Sequence, residues 1–215
     1  MTKTNDLIED LVRDLRPVRR HALASLLARA LLPGMALSAS FVLFGHGLRP
    51  DLGAALSVPA FWVKSAYPLL LALIGLGALL VVARPGGRPL GSVLEVAIVY
   101  ALLVALAVLQ LRQAASPEES RRLVMGVSAL YCPLIILATG APLMAATFWF
   151  LRRSAPTAPT LAGTLAGLAA GALGAWTYSW GCIENGLPFV ALWYTLGIGL
   201  CTALGGLMGR FWLRW

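Results

Sequence analysis

The chain has 215 residues, of which 59% are apolar and only 12% charged, with a net charge of +8 and a mean hydropathy of +0.81. A soluble domain carries about 25% charged residues, and so few charges cannot cover a water-facing surface without large apolar patches. A water-soluble globular enzyme and a disordered chain are both excluded, which leaves an all-α polytopic membrane protein. In such a chain the basic excess reads as the Lys and Arg of cytoplasmic loops, and no direct nucleic-acid partner is expected.

The first 25 residues hold no short apolar core followed by a small-residue cleavage site, so the N-terminus is expected to survive in the mature protein. Asn5 or Asp6 can cap a helix that must end before Pro17. At about 100° per residue, Leu7, Ile8, Leu11, Val12 and Leu15 share one arc, with Asp6, Glu9, Asp10 and Asp14 on the other. A helix lying on an anionic leaflet carries Lys and Arg on its polar face. This one carries carboxylates, and its basic residues (Arg16, Arg19, Arg20) stand beside the first span. About three turns are marginal without something to pack against, so a protein partner with an apolar groove and a basic rim fits best. Residues 1–28 are therefore read as a cytoplasmic docking segment and 29–215 as the membrane domain.

A span needs about 20 mostly apolar residues. Six segments qualify, near 29–47, 60–83, 90–111, 123–151, 160–181 and 187–211. Breaks such as Arg84-Pro85-Gly86-Gly87 and Ser116-Pro117-Glu118-Glu119 separate them. Twelve Lys and Arg fall on one side and five on the other, which puts both termini in the cytoplasm. Gly163, Gly167 and Gly171 in the fifth span, and Gly205 and Gly209 in the sixth, recur at four-residue spacing and read as helix-packing seams. No internal repeat supports an inverted-repeat transporter.

No P-loop, dinucleotide-binding glycine motif, HExxH or GxSxG pattern occurs, so no enzymatic activity is expected. His21 reads as a juxtamembrane cation, and His46 as an interfacial residue with the chemistry to face a metal. Glu95, about 7 Å inside the third span, is shallow enough to reach Arg84 or Arg88. Lys64 is placed near the opposite face, and no chain of ionisable residues crosses the bilayer.

Cys132-Pro133 falls inside the fourth span, where a proline frees a carbonyl and kinks the helix. Cys182-Ile183-Glu184 closes the fifth. Soft thiolates beside a carboxylate suit zinc, cadmium or copper(I), while an oxidising periplasm suits a disulfide. Counted from Leu123, Cys132 lies about 13 Å below the level of Cys182, and a disulfide needs Cα atoms within about 7 Å. A protruding first turn or two would halve that mismatch, so both chemistries stay open. Cys201 reads as a small apolar filler. Trp176, Tyr178, Trp180, Trp193 and Tyr194 read as an interfacial aromatic belt.

The stretch DLIEDLVRDLRPV, Cys132-Pro133 with Pro142, the run APTAPTLAGTLAGLAAG and above all YSWGCIENGLPFVALWYTLGI (residues 178–198) resemble the NrsF-type anti-sigma factors over nearly the whole chain. That resemblance implies a six-span inner-membrane protein that holds an extracytoplasmic-function sigma factor. It implies release under heavy-metal or oxidative stress sensed at two cysteines, which match Cys132 and Cys182. No resident cofactor is implied beyond a regulatory Cd, Zn or Cu ion at those thiols, with Glu184 as a further ligand. Membrane lipid is the other expected partner. The expected signal shifts the fourth span against the fifth. A small metal permease, or a periplasm-facing thiol oxidoreductase, is the alternative reading.

Overall fold

A computed structural model describes residues 9, 12, 21–154 and 156–213. Of the predicted docking face, Glu9 and Val12 are helical and exposed. Asp6, Leu7, Ile8, Asp10, Leu11, Asp14 and Leu15 lie outside the described residues.

The first long helix, α1 (Ala22–His46), relaxes into a π-helical turn over Phe41–His46 and stops at Gly47, whose φ of 90° only glycine adopts freely. A short turn, α2 (Leu52–Ala55), leads to α3 (Pro59–Val82). Pro59 opens α3 in the first turn, where its missing N–H is not needed. After α4 (Ser92–Gln113) comes α5 (Pro117–Met125). Ser116 caps α5 by accepting from the Glu119 N–H (3.2 Å), and the Glu119 carboxylate accepts from the Ala115 N–H (2.8 Å). Gly126, at φ 51°, ends α5. The chain then enters α6 (Cys132–Leu151), α7 (Pro159–Ser179) and α8 (Leu187–Trp212), the last with a π-helical turn at Val190–Tyr194.

Five of these helices, α1, α3, α4, α6 and α8, are long and apolar enough to cross a membrane. At 21 residues α7 is about 32 Å long, but its Gly, Ala and Thr make it less apolar. The reason is its place at the centre of the bundle, against α3, α6 and α8 on successive faces, with most of its side chains buried. A helix surrounded by protein needs small residues more than apolar ones. Gly163 and Gly167 lie against the backbones of Gly205 and Cys201 of α8 so closely that no Cβ fits. On another face Gly174 meets Gly140 of α6, and the Thr139 hydroxyl reaches the Gly174 carbonyl (3.0 Å). The predicted glycine seams are thus the α7–α8 contact. By contrast α4 is peripheral and buries only Leu103 and Ala107.

Packing contacts set the direction of each helix. The C-terminal ends of α1, α4 and α7 meet the N-terminal ends of α3, α6 and α8 at what we call the upper end; the lower end holds the turns after α3 and α6. Most expected span boundaries hold within a few residues, but two differ. The first long helix starts at Ala22, ahead of residue 29. The fourth span does not begin near residue 123: Gly126 breaks the chain there, and the helix starts at Cys132. Pro133 is consequently no mid-helix kink, since it sits in the first turn of α6.

Candidate functional site

Because α6 starts at Cys132 and α7 ends at Ser179, the two cysteines expected at different depths share the upper end. Cys132 is 0% and Cys182 2% exposed, and both thiols are free. Both belong to one buried cluster with Tyr178 and Tyr194. Tyr178 and Tyr194 stack with ring centroids 5.7 Å apart, and His46 meets Tyr178 edge-on at 5.2 Å. The two π-helical turns, frequent at functional positions, end at His46 and Tyr194 and deliver both rings. Tyr178 and Tyr194 are buried rather than part of an interfacial belt, and the Tyr194 hydroxyl has no hydrogen-bond partner among the described residues.

The loop 181–185 is held from three directions. Lys64 of α3, fully buried, donates from Nζ to the Cys182 carbonyl (2.7 Å) and the Glu184 carbonyl (2.8 Å). No carboxylate pairs with it among the described residues, so two backbone dipoles and the Phe61 ring 5.6 Å away bear its charge. Arg49, 3% exposed, donates through two nitrogens to the Asp51 carboxylate (2.8 Å each) and through a third to Asn185 Oδ1 (3.0 Å). This contact holds the Asp51 carboxyl below the ordinary carboxylate range and raises the Arg49 guanidinium. The Glu184 carboxylate accepts from the Val127 N–H (2.7 Å) and faces the Ser128 hydroxyl (3.4 Å).

Two glycines make these approaches feasible. A Cβ on Gly126 would fall 2.5 Å from Cδ of Glu184, and one on Gly181 would fall 2.8 Å from the Gly47 carbonyl oxygen. Further contacts tie the start of α8 to α4 and α5: the Leu187 N–H donates to Gln110 Oε1 (2.7 Å), and Trp193 Nε1 donates to the Val124 carbonyl (3.0 Å).

Cys132, Cys182 and Glu184, the expected metal ligands, all stand at the upper end. Among the described residues no three His, Cys, Asp or Glu side chains gather as a metal site. The Glu184 carboxylate is engaged with the turn after α5. Glu95, exposed in the first turn of α4, forms no ion pair with Arg84 or Arg88. Cys201 packs between Gly140 and Gly171 as a space-filler.

Sequence reasoning missed the roles of Lys64, Arg49 and Asn185. The signal was there: Lys64 stands inside a span, where an ionisable residue warrants a named partner.

The chain matches, over residues 11–215, the model of a family described as negative regulator of sigma F. It is 36% identical over 219 residues to the anti-sigma-F factor NrsF of Caulobacter vibrioides, covering 99% of this chain and 100% of that protein. It is 37% identical over 213 residues to a probable anti-sigma-F factor NrsF of Azospira oryzae, covering 99% and 100%. No solved structure matches. The chain therefore belongs to the NrsF family of negative regulators of sigma F.

Proposed function

We propose that this chain is a six-span inner-membrane anti-sigma factor, both termini cytoplasmic, which holds an extracytoplasmic-function sigma factor and releases it when Cys132 and Cys182 react. The match to negative regulators of sigma F along almost the whole chain carries the reading. The sigma factor docks on the apolar face of residues 4–16, whose acidic back opposes its basic DNA-binding surface. The upper end is periplasmic, so heavy metals or oxidants meet the thiols there without entering the cell.

Transmission runs through α1. Its upper end touches the sensing loop, with Gly47 and His46 against Gly181, and its lower end continues directly from the docking segment. Along its length Gly34 rides on Pro142 of α6, the helix that starts at Cys132. Joining the thiols to each other, or to a thiophilic ion, pulls Cys182 toward α6. That strains the bonds from Lys64 and Arg49, and α1 shifts against α6. The bistable element is the loop 181–185, biased by thiol chemistry.

Co-purification from native membranes tests the docking half, comparing the full chain with a version lacking residues 1–16. A sigma factor bound to the first and absent from the second is expected. A sigma factor bound equally to both would remove the docking assignment, and none with either would remove the anti-sigma reading.

A further inference from the structure

The lower half of the bundle carries a feature that the thiol chemistry does not use. Because α4 packs on α3 alone along most of its length, a cleft opens between α4 on one side and α7 and α8 on the other. It forms two adjoining cavities of about 840 and 880 Å³ that share Val93, Val96, Thr164, Leu168 and Thr202. The walls are dry. Thr164 and Thr202 turn their hydroxyls back to the Thr160 and Ile198 carbonyls (2.9 and 2.8 Å), and Tyr67 pairs with Thr195 (2.8 Å).

From Arg210 to Thr195 the cleft follows 15 residues of α8, about 22 Å of depth. That exceeds one leaflet of a hydrocarbon core about 30 Å thick. At its lower rim stand Arg88 on one cavity and Arg210 on the other, both exposed and neither paired with a carboxylate among the described residues. A long apolar slot that opens beneath two exposed guanidiniums complements one class of molecule, an acyl chain ending in a phosphate.

We propose that this cleft is a binding site for an anionic phospholipid, with an acyl chain between α4 and α8 and the phosphate on Arg88 and Arg210. The lipid fills the space that α4 leaves and braces α4 against the core. The inference rests on the membrane reading of the chain but not on its sigma-factor partner.

The test is native mass spectrometry of the full chain, extracted from membranes in mild detergent and equilibrated with equimolar phosphatidylglycerol and phosphatidylethanolamine. An arginine near an anionic headgroup is worth roughly fivefold, so the phosphatidylglycerol adduct should exceed the other by more than about tenfold. R88Q/R210Q should erase the preference. A Cβ at Gly199 meets no atom within 4 Å, so Gly199→Phe fills the cleft from α8 without disturbing the core and should reduce both adducts. Equal retention of the two lipids by the wild type, a preference unchanged in R88Q/R210Q, or a dimer mass in place of lipid adducts would overturn the site. Absence of the chain from the membrane extract would overturn the membrane reading, and the site with it.

Discussion

Replacing Lys64 with Met removes the ammonium that holds the sensing loop from below while keeping most of the side-chain volume. The buried Cys182 carbonyl and the half-buried Glu184 carbonyl lose donors at 2.7 and 2.8 Å. A buried acceptor left unpaired costs about 1–3 kcal/mol, and the half-buried one, which water can reach, adds less. Relief of the desolvated ammonium offsets part of that, which leaves a net loss of about 2 kcal/mol in the closed state of the loop as the central figure. Local opening should then become about 30-fold more frequent. The assay is the rate at which a membrane-impermeant maleimide labels Cys182 in spheroplasts, in a background where Cys132 and Cys201 are Ser. Size-exclusion elution of the variant in detergent controls for folding. An increase of at least tenfold is expected; an unchanged rate in a well-folded variant would refute the clamp.

Further perturbations test the rest of the frame. Glu184→Ala deprives the exposed Val127 N–H of its acceptor at 2.7 Å and should lower stability by no more than about 1 kcal/mol in detergent unfolding. Gly167→Ala forces a methyl into the Cys201 backbone and should destabilise by about 1–3 kcal/mol, whereas Gly77→Ala, which meets open space, should be neutral or stabilising by up to about 1 kcal/mol. The Asp51 carboxyl, depressed by Arg49, contributes stability that is full above its unfolded value of about 3.9 and is lost as the pH falls through the folded value. The thermal midpoint of the wild type should therefore fall more steeply between about pH 5 and pH 3 than that of Asp51→Asn.

The helical frame was legible in the sequence because a bilayer imposes length and apolarity on whatever crosses it. The α7–α8 seam was equally legible, since glycines four apart leave one flat face. The fourth span was misread because hydropathy cannot see a backbone turn: Leu123, Val124 and Met125 are apolar, but Gly126 at φ 51° ends their helix. That single residue brings Cys132 up to Cys182. Two residues of the aromatic belt were misplaced for a related reason. Tyr178 and Tyr194 have the composition of an interface, yet the π-helical turn at Val190–Tyr194 rotates Tyr194 inward. Lys64 was visible but unassigned, since its partners are backbone carbonyls of a loop more than a hundred residues away, which no spacing pattern encodes.

The most direct test of the central claim begins with the detergent-solubilised complex of the full chain and its sigma factor, immobilised through this chain. Cadmium or hydrogen peroxide is added, and the sigma factor that elutes is measured. The wild type should release it, while Cys132→Ser and Cys182→Ser should hold it under the same dose. Release from both variants at the wild-type level would contradict thiol sensing at the upper end.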